Sequence, residues 1–102
     1  MRKLRISFLR ISSDLFMSVE SVASMMEDMA DRDAIPSNVS EMLKDAASEL
    51  RDEDKDISVR VNAASSLLDQ ISNDPNIRQH TRTQVWNMAS KVESLTELVE
   101  IV

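Results

Sequence analysis

Cysteine, glycine and tyrosine are absent from this chain of 102 residues, and proline occurs only twice. Without cysteine there is no disulfide, no thiolate metal site and no thiol nucleophile, and cysteine usage reports nothing about redox compartment. Without glycine, tight hairpins and phosphate-cradling loops are disfavoured, because both need positive φ or close backbone approach. Aromatic residues make up 3% of the chain, and seven methionines stand where bulkier core residues usually sit. No apolar run approaches the roughly 18–20 residues that a membrane-spanning helix needs. The basic N-terminus is interrupted over Leu4 to Phe16 by Arg5, Arg10 and Asp14, which argues against a cleaved secretion signal. These absences predict a cytoplasmic protein with no membrane partner.

What is present is ordinary for a globular domain, with 42% hydrophobic and 29% charged residues. Residues 1–102 read as a single domain, large enough to bury roughly 60–65% of its unfolded surface without a staple. The charge is uneven. Residues 1–13 carry Arg2, Lys3, Arg5 and Arg10 with no acid, whereas residues 14–56 set thirteen acids against four cations. Residues 57–92 are mildly basic, through Arg60, Arg78, Arg82 and Lys91 against Asp69 and Asp74, and the last ten carry Glu93, Glu97 and Glu100. The total is −6, which makes the chain a poor general binder of phosphate backbones.

Periodicity predicts four helices. Leu15, Val19, Val22, Met26 and Met29 recur at steps of four and three, one face of a helix. Val39, Leu43, Ala46 and Leu50 make a second stripe, and Ile57, Val61, Ala64, Leu68 and Ile71 a third. Val85, Met88, Val92, Leu95, Val99 and Val102 make the fourth. Pro36 fits a first helical turn, and Asn38 with Glu41 offers a capping box one step later. Asp54 or Asp56 is placed to accept N–H groups at the start of the third helix. Asn73-Asp74-Pro75-Asn76 suits a type I turn around Pro75. Each stripe is seam-like, which is the patterning of a left-handed bundle. The expected fold is an all-α, four-helix up-down bundle with long first and last helices, running over about 4–31, 36–52, 56–73 and 78–102.

Leu4, Phe8 and Ile11 lead by the same steps into Leu15, so residues 1–13 form a basic helical extension of helix 1; the alternatives are that residues 1–16 are a frayed tail or that translation starts at Met17. In an up-down bundle the extension pairs with residues 93–102, opposite in charge. A homodimer that joins two copies through the helix 1/helix 4 overhang is the competing arrangement.

Catalytic patterns fail residue by residue. A carboxylate-bridged di-metal bundle needs Glu-x-x-His on two helices, and Ile77 stands three before the only histidine, His80. The run Asp52-Glu53-Asp54-Lys55-Asp56 resembles the first half of a calcium loop, but Ile57 and Ala63 occupy the glycine and bidentate glutamate positions. One histidine with nothing to place Ser and Asp around it does not make a triad. No enzymatic activity, metal or cofactor is expected.

The segment Arg78 to Asn87, RQHTRTQVWN, holds the only His and the only Trp, Trp86. As structure, it opens helix 4: Thr81 or a neighbour satisfies free N–H groups, Val85 enters the core, and Trp86 packs at its flank with its N–H on a polar partner. As a site, a helix N-terminus beside Arg78, His80 and Arg82 favours an anionic partner. Both readings stand together.

The motif Ser72-Asn73-Asp74-Pro75-Asn76, followed by His80 to Asn87 and preceded by DISVRVNAASSLLDQI, resembles a family of short archaeal proteins, uncharacterised protein family zero-one-four-seven. The likeness covers about residues 17–93. It implies an all-helical bundle and adds no reaction. Basic residues often follow the first-loop proline in that family, where this chain has Ser37 and Ser40. A weaker likeness, Asp56-Ile57-Ser58-Val59-Arg60 followed by Ala63-Ala64 and Leu67, is similar to HEAT-type hairpins. It implies an alternative fold of two stacked HEAT-like helical hairpins and a role in protein interaction.

The sequence therefore predicts a non-enzymatic adaptor or accessory subunit that binds a protein through Arg78, His80, Arg82 and Trp86, with Arg60. The alternative is an RNA- or ribosome-associated protein that uses the same basic patch, with residues 1–13 as a basic arm.

Overall fold

The computed structural model describes the backbone of residues 2–32 and 34–100 and the side chains of residues 15–32 and 34–97. Four helices follow in order, α1 (Arg2–Ala30), α2 (Ser37–Arg51), α3 (Ile57–Ser72) and α4 (Gln79–Glu100), and no strand occurs among the described residues. The seam residues turn inward as their spacing requires. Val19, Val22, Met26 and Met29 of α1 pack with Val39, Leu43, Ala46 and Leu50 of α2. Val61, Ala64, Leu68 and Ile71 of α3 and Val85, Met88, Val92 and Leu95 of α4 complete one core. Val99 and Val102 lie outside the residues with described side chains.

Each helix packs on its neighbours in the order α1–α2, α2–α3, α3–α4 and α4–α1, and no diagonal pair touches among the described residues. That closed ring is an up-down bundle. Stacked hairpins would bring α1 onto α3 and leave α4 away from α1, so the HEAT-like alternative does not hold. The α1–α2 and α3–α4 turns share one end, where Asn38 Nδ2 donates to Asp74 Oδ2 at 3.2 Å and Arg32 Nη1 to Gln84 Oε1 at 3.0 Å. The acidic α2–α3 turn lies at the other end.

One device recurs at all three turns. The fourth residue of each following helix donates to a carbonyl ten residues earlier, at the end of the preceding helix. Ser40 Oγ reaches the Ala30 carbonyl at 2.7 Å, Arg60 Nη1 the Leu50 carbonyl at 3.0 Å, and Arg82 Nε the Ser72 carbonyl at 2.8 Å. The last carbonyls of a helix have no intrahelical partner, and these donors supply one in a chain with no glycine to close a helix by a left-handed residue.

The expected N-terminal caps form differently. Pro36 and Asp56 occupy the N-cap positions of α2 and α3, but neither start has a side-chain cap. Asn38 is drawn to Asp74 instead of forming a capping box, and Asp52 rather than Asp54 or Asp56 accepts a turn N–H, from Asp54 at 3.2 Å. The turn at Pro75 closes one residue later than expected, from the Ile77 N–H to the Asp74 carbonyl at 3.5 Å. The Asp74 carboxylate holds it by accepting the Asn76 N–H at 2.8 Å. Ile77 and Thr81 then turn inward and are buried, so Thr81 contributes to the core rather than to a cap.

Candidate functional site

The five candidate contact residues fall into two groups. Arg60 and Arg82 are partly buried, and their guanidinium groups are taken up by backbone carbonyls. Arg60 donates through Nε to the Lys55 carbonyl at 3.0 Å as well as to Leu50. Arg82 adds the Asp74 carbonyl at 3.0 Å through Nη2 to its bond with Ser72, and touches Gln79 Oε1 at 3.4 Å. The two arginines stand at opposite ends of the bundle. A planar guanidinium with five donors suits this work, because it spans two carbonyls of one turn.

Arg78, His80 and Trp86 form the second group, all exposed. Arg78 and His80 make no side-chain hydrogen bond or ion pair among the described residues. His80 and Trp86 are six residues apart on one helix, which at 3.6 residues per turn puts them about 120° apart around its axis. They therefore do not share a face. Trp86 leans toward α3, and His80 does not join it.

Trp86 is 52% exposed, and no described residue accepts its indole N–H. It borders a depression of about 390 Å³ between α3 and α4, floored by Ser65, Leu68, Ser72 and Ala89 and edged by Asn62, Asp69 and Glu93. Small side chains leave this space, and Trp86 does not fold down to fill it. The Ser65 hydroxyl beside it is buried without a hydrogen-bond partner. The sequence indicated this tryptophan, but the groove was hidden, because it depends on serines of α3 facing an alanine of α4.

Other polar clusters hold the bundle together. Arg51 of α2 bridges two carboxylates one heptad apart on α1, Glu20 at 3.0 Å and Glu27 at 2.8 Å. Its hydrogen bonds to Glu20 and then Glu27 raise an already high pKa. Lys55 of the acidic turn pairs with Glu49 at 3.3 Å and Asp52 at 3.7 Å, and the Glu49 hydrogen bond is the main cause of its raised pKa. Among the described residues no group of His, Cys, Asp or Glu is placed to hold a metal ion, and no helix is long and apolar enough to cross a membrane.

The model of an Uncharacterised protein family (UPF0147) matches residues 10–95. The match begins upstream of Met17, so the likeness extends further toward the N-terminus than residues 17–93. A UPF0147 protein of Methanothermobacter thermautotrophicus is 38% identical over 90 residues, covering 87% of this chain and 84% of the relative. One from Methanocaldococcus jannaschii is 35% identical over 75 residues, covering 74% and 81%. One from Thermoplasma acidophilum is 28% identical over 88 residues, covering 86% and 97%. No solved structure matches the chain.

Proposed function

The chain belongs to the uncharacterised protein family UPF0147, and on that premise we propose that it acts by binding another protein, with no chemistry of its own. The observation that supports this reading is Trp86, half exposed beside a groove whose lining is mostly small residues. A tryptophan is the side chain most often found carrying interface energy, because it buries a large rigid surface at low entropic cost. The serine and alanine floor lets a partner helix approach closely. Asp69 and Glu93 at the edges favour a partner that brings a cation to the rim.

The RNA-bound reading has fewer supports. Arg60 and Arg82 are engaged on carbonyls at opposite ends, and Asp69 and Glu93 beside Trp86 repel phosphates. Of the five candidate contact residues, Arg78 and His80 alone remain for a phosphate backbone at that end.

Trp86→Ala is the direct test. It is expected to abolish recovery of the partner in affinity purification while stability moves by no more than about 0.5 kcal/mol, as for an exposed position. Retained recovery, or a loss of stability above about 2 kcal/mol, returns Trp86 to a structural role and rejects this surface. If a partner is retained with a steep fall of log affinity against log salt, the RNA reading takes its place.

A further inference from the structure

The seam of α1 outruns the helices that cover it. At the α2–α3 end, Arg51 meets Glu20, and a depression of about 200 Å³ is lined by Phe16, Glu53 and Arg60. The turn is therefore level with Phe16 to Glu20. On the other side Glu97 of α4 lines one groove with Met17 and Ser21, and α4 ends three residues later, at Glu100. Yet α1 begins at Arg2, so about 20 Å of helix precedes Leu15, at 1.5 Å per residue. The row of Val19, Val22, Met26 and Met29, buried within the bundle, continues in sequence register through Leu15 to positions 11, 8 and 4. The pairing of residues 1–13 with 93–102 lies outside the residues with described side chains.

We propose that a second copy of the chain covers this row, the two α1 extensions lying antiparallel about a twofold axis. An isolated helix of this length is marginal in water, so the extension needs a partner. Among the described residues no other helix runs level with it, since α4 is described to Glu100 and the α2–α3 turn stands level with Phe16 to Glu20. Three features meet at the root of the extension. Phe16 is 52% and Met17 70% exposed, unusual for large apolar side chains. The acidic turn beside them holds Asp52, Glu53, Asp54 and Asp56, with Lys55 already paired to Glu49 and Asp52. The extension itself carries four cations and no acid over residues 1–13. In an antiparallel pair of equal extensions each basic tip reaches the other's root, so apolar row meets apolar row and Arg2 and Lys3 meet the acidic turn. The contact is self-complementary and closes at two copies. An anionic membrane would also take a basic amphipathic helix, but it would repel the acidic turn.

The test is the solution mass of the intact chain by light scattering over a concentration series. The expected value is twice 11.5 kDa, and Phe8→Glu is expected to return it to 11.5 kDa with the melting of the bundle preserved. Because Phe8→Glu also places a charge within α1, a charge exchange provides an independent arm. Glu53→Arg with Asp54→Arg should weaken the dimer roughly tenfold, as a few exposed ion pairs allow, and adding Arg2→Glu with Lys3→Glu should restore it. A monomer at every concentration overturns the proposal. So does a Phe8→Glu variant that stays dimeric, a charge exchange without rescue, or binding of the intact monomer to vesicles of anionic phospholipid.

Discussion

Arg78 and Arg82 are four residues apart, identical in chemistry, and opposite in circumstance. Arg82 is anchored on two carbonyls at the end of α3, whereas Arg78 is exposed beside it. Arg82→Met should cost about 1.5–3 kcal/mol, the range for hydrogen bonds to a charged donor. Arg78→Met should move stability by no more than about 0.5 kcal/mol. Urea denaturation of both variants checks the contrast, and equal costs would contradict it. The sequence grouped these arginines, because an arginine near a helix start reads as an anion site when the preceding carbonyls are out of view. The available signal was spacing: Ser40, Arg60 and Arg82 each follow the end of a helix at the same ten-residue reach. Trp86 was legible as the distinctive residue. Its exposure was not, since a tryptophan one step from a seam packs or stands out according to the size of its neighbours.

At the level of the helices, periodicity alone located all four to within a residue or two, since the chain's turns fall at proline and acidic clusters and nothing competes with the seam. Cap chemistry was less legible. Asn38 has a nearer attraction across the bundle in Asp74, which no local pattern encodes. The seam gives a firm expectation for Leu68, fully buried in α3. Leu68→Ala should cost about 2–5 kcal/mol, the lost transfer energy plus the cavity left behind. A loss below about 1 kcal/mol would mean that α3 slides to close the gap.

For the whole molecule, the decisive fact is the α1–α4 contact that closes the ring, which the seam pattern implied and the short HEAT-like run obscured. Electrostatics adds a pH expectation. Arg51 and Lys55 both bind their protons more tightly in the folded state, so their contributions are complete below the ordinary lysine value and fade only as pH rises through the raised ones. Thermal melts should therefore show no loss from these two groups between about pH 6 and 9, with Lys55 released only as pH rises past the ordinary lysine range. A Lys55→Met variant that changes the pH dependence near neutrality would contradict this assignment.

The three side chains that reach back across the turns also bear on how the chain finds its shape. Each closes a loop of ten residues, an event on the order of 10–100 ns, and each needs only the first turn of the next helix to exist. The contact that ties the end of α1 to α4 is of another kind, with Arg32 and Gln84 separated by 52 residues. Successive helices can thus be hinged in place as soon as they form, leaving the docking of α4 on α1 as the one distant encounter. Such a search should be fast and dominated by local steps, with ring closure setting its rate.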